Sequence, residues 1–136
     1  MEYGPVIPVL RIFDIGKARE FYVGFLGGKV DWEHRFEPAL PLYMQLSLGQ
    51  LKLHLSEHHG DACPGACVRV GVADIATLHA DLRARDYNYA RPGIEAKPWG
   101  FDEITLVDPF GNRVIFFAPT GGRAARAADR VTVASE

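Results

Sequence analysis

Apolar residues crowd first into VIPVLRIF (6–13), a β-branched run suited to a strand buried on at least one face. Pro8 cannot donate to a ladder, so this strand should lie at an edge or carry a bend. Asp14 then stands where a helix N-cap accepts the first free amide hydrogens. Ile15, Ala18, Phe21, Tyr22 and Phe25 recur at helical spacing until Gly27 and Gly28 stop the pattern. Three strands are predicted next, KVDWEHRF (29–36), LYMQLSL (42–48) and LKLHLSE (51–57). A loop with Pro38 and Pro41 separates the first two, and a turn at Gly49–Gln50 joins the last two as a hairpin. After the loop HHGDACPGA the order repeats: ACVRVGV (66–72) is a β-type run, and Asp74 precedes the helical pattern of Ile75, Leu78 and Leu82. Residues 87–91 can form a short strand, and FDEITLV (101–107) and RVIFFA (113–118) form a hairpin around DPFGN. In that turn Pro109 presets φ and Gly111 or Asn112 tolerates positive φ, so its residues, Asp108 included, are expected to set register and not to carry chemistry.

The two caps lie sixty positions apart, and each half reads strand, helix, three strands. A βαβββ unit of about 55 to 60 residues is too small for a sufficient core, so two should pair, with curled sheets around a cleft and helices covering their backs. The fold class is therefore α+β, in one domain over 1–118 with modules near 5–57 and 66–118. The Ala/Arg-rich segment 119–136 reads as a flexible tail.

Composition narrows the functional classes. With 136 residues, 48% hydrophobic and 24% charged, the chain has the make-up of a soluble globular protein. No run approaches the roughly 18 apolar residues of a membrane span. The net charge of −2 argues against nucleic acid or an anionic membrane as partner. MEYGPVIPVL has an acid and no basic n-region, from which a cytoplasmic chain is expected, and Cys63 and Cys67 of CPGAC are then most simply two reduced thiols.

IPVLRIFDIGKAREFYVGFLG, VADIATLHADL, PWG and DPFGNRVIF together resemble the vicinal-oxygen-chelate superfamily of glyoxalases, extradiol dioxygenases and bleomycin-resistance proteins, over roughly residues 5–118. Its metal-dependent members place His, Gln or Glu ligands on the first and last strand of each module. Counting from the caps puts these positions near Ile7, His54, Val68 and Ile115, where only His54 is a ligand type. Among the immediate neighbours only Cys67 could add a donor, and an imidazole with a thiol is not an octahedral oxygen/nitrogen site. A histidine on an alternating strand is more often a hydrogen-bonded groove or core residue than a ligand. HLSEHHGDACPGAC lacks the paired spacing of structural zinc, so His58 and His59 read as solvated loop residues, and no GxSxG-like nucleophile motif occurs.

The PWG turn, the DPFGN turn and the LHLSE strand end look like the metal-free bleomycin-resistance group. That resemblance implies a homodimer that sequesters a glycopeptide drug between subunits without modifying it, with no cofactor and no metal. It also implies that the turn tryptophan, Trp99 beside Gly100, supplies a stacking face. Phe36 and Trp32 could add aromatic surface, and Asp31, Glu33, Glu37, Asp61 and Asp102 could face a cationic ligand terminus. His54 joins this set as a groove residue. Against these roles stand bland ones: Trp99 as a turn anchor, and Trp32 and Phe36 as core residues of an alternating strand. Two features depart from the resemblance. Gly28 stands where the family often has an aromatic, and His34–Arg35 adds positive charge near the acids. In the resembling group the N-terminal arm can cross to the partner, a role Pro8 would suit as hinge. The alternatives are a metal-dependent lyase or dioxygenase using His54, and a family member whose ligand is no antibiotic.

Overall fold

The computed structural model describes residues 1–85, 87 and 91–121. Its contacts divide the chain into two compact units, Met1–Ala66 with Val107–Arg113, and Cys67–Leu106 with the chain from Val114. Each unit carries one βαβββ module, built on an open four-stranded sheet.

In the first unit β1 (Val9–Arg11) leads into α1 (Ile15–Arg19), which continues as a π-helical turn, Glu20–Phe25. Asp14 is the cap expected of it, accepting from the Lys17 amide at 2.8 Å. Gly27, at φ 81°, ends the helix. Then follow β2 (Lys29–His34), β3 (Tyr43–Leu48) and β4 (Leu51–Ser56), in the sheet order β1-β4-β3-β2. Only β1 and β4 run parallel in this sheet. β1 is shorter than the apolar run suggests and lies at the sheet edge, and Pro8 precedes it, accepting from the His54 amide through its carbonyl. The core holds Leu10, Ile12, Phe21, Tyr22, Phe25, Met44, Leu46, Leu53 and Leu55, all buried. On β3 and β4 these buried residues alternate with Tyr43, Gln45, Ser47, Lys52 and His54, so the sheet has one apolar face and one polar, aromatic face.

Gly28 has a steric reason to lack a side chain. Its N–H donates to the Tyr22 carbonyl at 2.9 Å, and a Cβ would stand 2.8 Å from that oxygen and 3.1 Å from Leu46. An aromatic residue has no room there.

The DPFGN turn, whose Gly111 has φ 90°, does more than hold register. The buried Asp108 carboxylate accepts four hydrogen bonds: from the Phe110 and Asn112 amides at 2.8 Å each, from Asn112 Nδ2 at 2.9 Å and from the Tyr22 hydroxyl at 2.6 Å. Burial first, and then the adjacent Asp108 charge, push the Tyr22 hydroxyl far above its ordinary pKa. Asn112 also donates to the Arg11 carbonyl at 2.8 Å. The turn is thereby tied to both α1's continuation and β1.

The second unit runs β5 (Cys67–Gly71), α2 (Ile75–Ala84), β6 (Glu95–Ala96), β7 (Phe101–Val107) and β8 (Arg113–Pro119), in the order β5-β8-β7-β6. Asp74 caps α2 by accepting from the Thr77 amide at 3.0 Å. Ile75, Leu82, Ile104, Leu106, Val114 and Phe116 fill the core. The short strand paired to β7 is 95–96. Of the expected strand 87–91, residues 88–90 lie outside the described residues, as does the expected tail from 122 onward.

Strand β2 departs from expectation. Its residues are exposed on both sides except Val30, so the core role read for Trp32 and Phe36 is wrong. The strand ends at His34, before Phe36, and a bulge falls between Val30 and Trp32, which pair with Leu46 and Gln45. Asp31 is the extra residue, so the alternation that should bury one face is broken in mid-strand.

Candidate functional site

Because of the bulge, Asp31 and Trp32 both reach the polar side chains of β3. Asp31 accepts from Gln45 Nε2 and Ser47 Oγ, each at 3.0 Å. The Gln45 hydrogen bond, helped by Ser47, holds its carboxyl below the usual range. Trp32, 43% exposed, stacks nearly parallel to Tyr43 with ring centroids 6.0 Å apart and meets His54 edge-on at 5.3 Å. His54 sits opposite Gln45 in the ladder and is bonded at both ring nitrogens, Nδ1 to the Tyr43 hydroxyl at 2.6 Å and Nε2 to Gln45 Oε1 at 3.0 Å. Burial lowers its pKa and favours the neutral ring.

The row of rings continues beyond the strand. His58 lies 6.5 Å from Tyr43 and 6.4 Å from Phe36, and Phe36, 73% exposed, stands edge-on to His34 at 4.7 Å. His58 is half-buried, not solvated as expected, and its carbonyl accepts from Arg11 at 2.8 Å. Asp61 accepts from the buried Ser56 hydroxyl at 2.6 Å. After burial, its charge is the second cause that raises the Tyr43 hydroxyl pKa. Of the other acids, Glu33 pairs with Arg19 and Glu37 is exposed. Arg35 is tied to the Leu40 carbonyl at 2.7 Å.

The second unit holds Trp99, Gly100 and Asp102. Gly100, at φ 94°, allows the turn in which its amide donates to the Lys97 carbonyl and the Lys97 amide to Phe101. Trp99 is 49% exposed, yet its Nε1 donates to Glu103 Oε2 at 2.9 Å. It is thus both a turn anchor and a presented indole face. Lys97 Nζ lies 5.7 Å from the ring centroid, within cation–π range. Glu103, only 3% exposed, also receives Arg69 Nη2 at 2.8 Å and Nη1 at 3.4 Å, and these bonds hold its carboxyl below the ordinary range. The Arg69 guanidinium also lies over the Phe117 ring at 4.8 Å. Asp102 is bonded to Thr120 Oγ1 at 3.0 Å.

The metal centre of the metal-dependent branch does not fit these residues. In the ladder His54 lies opposite Val9, and neither Val9 nor Ile7, the first-strand position reached by counting, is a ligand type. Both nitrogens of His54 are engaged, and Cys63 and Cys67 are free, exposed thiols. Among the described residues no three His, Cys, Asp or Glu side chains gather closely enough to hold a metal ion.

Sequence reasoning named Asp31, Trp32 and His54 singly, without placing them on one face, and missed Tyr43, Gln45 and Ser47 beside them, and Arg69 and Glu103 behind Trp99. The alternation YMQLSL carried a usable signal for the first three, since the apolar positions claim one face and leave 43, 45 and 47 together on the other.

Comparison with known proteins follows the fold. A family described as "Glyoxalase superfamily protein" matches residues 1–122. A bleomycin-binding protein solved in complex with bleomycin superposes with a TM-score of 0.66 at 21% identity, over 85% of this chain and 98% of that one. An antibiotic binding protein from Streptomyces sp. CB03234 gives 0.67 at 20% identity, over 88% and 99%. A bleomycin resistance determinant encoded on the transposon Tn5 gives 0.67 at 19%, over 88% and 100%. Comparison with curated protein sequences finds no match.

Proposed function

The chain belongs to the glyoxalase superfamily, and from that premise we propose that it is a binding member: a cytoplasmic homodimer that sequesters a bleomycin-type glycopeptide or similar aromatic small molecule without modifying it. Fold alone does not choose between binder and enzyme, so the reading rests on the side chains. The observation that carries it is the presentation of two indoles at polar surfaces. Trp32 is stacked on Tyr43 and Trp99 is fastened through its N–H to a buried carboxylate, and each leaves close to half its surface open. A tryptophan serving only stability would be driven inward, since a buried indole contributes much of a small core. Here the polar atom of Trp99 is satisfied and the ring stays available for stacking, worth about 0.5–1.5 kcal/mol per aromatic pair beyond the buried area.

Asp31 and Asp61 supply negative charge on the Trp32 face, suited to a cationic part of the ligand. Phe36 extends the aromatic surface, and Gly100 and Asp102 shape the turn that carries Trp99. Similarity to bleomycin-binding and antibiotic-binding proteins supports the ligand class. The exposed N-terminal arm, with Tyr3 and Val6 in solvent, supports the dimer by offering apolar surface for a partner to cover.

The test is calorimetric titration of chelator-treated protein with metal-free bleomycin, alongside Trp32→Ala and Trp99→Ala. The expected result is saturable binding at one drug per chain, weakened roughly tenfold in each variant, about 1.4 kcal/mol. Absence of heat and of competition removes drug sequestration.

A further inference from the structure

The polar face of the first unit carries a chain of hydrogen bonds with a single permitted direction. Asp31, ionised, can only accept, so the Gln45 group 3.0 Å from it is the amide NH2. That fixes the Gln45 oxygen toward His54, whose Nε2 must then carry the ring proton. With Gln45 turned the other way, two oxygens would face each other at 3.0 Å. A neutral imidazole has one proton, so Nδ1 is left as acceptor and the Tyr43 hydroxyl donates to it at 2.6 Å. Ser47 fills the other Asp31 oxygen at 3.0 Å. The Tyr43 proton is thereby committed to His54 and the His54 proton to Gln45, so the Tyr43 oxygen keeps only lone pairs for a ligand. The charged groups around the chain are Lys29 and Lys52 near Asp31, and Asp61 near Tyr43.

We propose that Asp31, acting through Gln45 and His54, fixes the Tyr43 hydroxyl as a hydrogen-bond acceptor, so that this face selects small aromatic molecules bringing an N–H donor over those bringing an acceptor. The inference rests on the reading that the Trp32–Tyr43 face binds a small molecule, and adds which atom of the protein discriminates and what it discriminates for. Tyr43 is the specificity-determining residue; Gln45 and His54 are positioning residues. Trp32 holds the aromatic part beside Tyr43, so the discriminating contact is made by a ring substituent.

Two measurements test it on the full chain. The first needs no ligand: long-range proton–nitrogen spectra of His54 at neutral pH should show the Nε2–H tautomer in the native protein, and a mixture in Gln45→Met, which removes the link without changing charge. The second titrates the ring-N-methylated forms of tryptamine and indole-3-acetate, which share an indole without an N–H of its own and carry an ammonium or a carboxylate. Native protein should prefer the methylated tryptamine by about tenfold or more, the scale of one hydrogen bond to a charged group. In Tyr43→Phe and Gln45→Met, which leave every nearby charge in place, the preference should fall by about fivefold. A native Nδ1–H tautomer, equal affinities, no binding of the methylated tryptamine, or a preference unchanged in both variants overturns the proposal, the last because general negative charge would then account for it. If bleomycin fails to bind while the tautomer and the tryptamine preference hold, drug sequestration falls and the donor-selecting face stands.

Discussion

Replacing Arg69 by methionine tests how Trp99 is held. Glu103 is 3% exposed and its carboxylate has three N–H partners, two from Arg69 and one from Trp99. The Arg69→Met side chain keeps much of the volume over Phe117 but removes the guanidinium, leaving the buried carboxylate with the indole N–H as its hydrogen-bond donor among the described side chains and the Lys97 charge nearby. Removing one partner of a buried ion pair costs about 3–5 kcal/mol. The Arg69 side chain is 41% exposed, so water can reach the vacated side and the loss should be smaller, about 2–3 kcal/mol at neutral pH. The pH dependence distinguishes this cause from lost packing. In the native fold Glu103 is held below its ordinary pKa, chiefly by Arg69, so its contribution is whole above about 4.5 and is lost as pH falls through the depressed value. In Arg69→Met the largest cause of that depression is gone, so the folded-state pKa moves up. Protonation then costs the variant less than it costs the native fold, and the deficit should shrink as pH falls from about 7 toward 4. Urea unfolding across that range, with m unchanged, measures the difference. A deficit under about 1 kcal/mol at neutral pH, or one independent of pH, refutes the argument.

Three further outcomes follow from the same geometry. Tyr22→Phe leaves Asp108 with three donors in place of four and should cost about 1.5–3 kcal/mol in urea unfolding; a loss under about 0.5 kcal/mol would mean that the 2.6 Å contact contributes little. Gly28→Ala drives a Cβ to 2.8 Å from the Tyr22 carbonyl and should cost about 1–3 kcal/mol, against the usual gain from replacing glycine; a variant as stable as the native protein contradicts that close approach. Sedimentation of the full chain should show a dimer at micromolar concentration, weakened by deleting residues 1–7. A monomer at all concentrations refutes both the arm exchange and an intersubunit groove.

Legibility tracked how local each determinant was. Asp14 and Asp74 announce their helices because a cap needs only the three residues that follow it, and the sixty-residue spacing of the caps revealed the repeat. Gly49–Gln50 and DPFGN mark hairpins for the same reason. Strand β2 failed because its alternation is interrupted by one residue: with Asp31 unpaired in the ladder, Trp32 falls opposite Gln45, and the rule that one face must be buried no longer applies. Nothing within KVDWEHRF signals that bulge, since it is stabilised by hydrogen bonds to Gln45 and Ser47 on the neighbouring strand. Gly28 could be read only as a helix stop; its steric role depends on a carbonyl six residues back that the π-helical turn brings close.

The same reasoning shows why residue type alone could not assign the chemistry of His54. As the one ligand-type residue at the expected ligand positions, it invites a metal, but its chemistry is set by Gln45 across the ladder and by Tyr43, which pairs with Ser56 two places along. Gln45 itself offers a donor and an acceptor with no preferred direction until Asp31 supplies an acceptor-only neighbour. The donor or acceptor character of Tyr43 is therefore decided by a carboxylate three side chains away in the hydrogen-bond chain. A substitution at Asp31 should alter what Tyr43 accepts without touching the ring that stacks. The discrimination this face can exercise thus resides in the order of the chain, a property that emerges only when β2, β3 and β4 are in register.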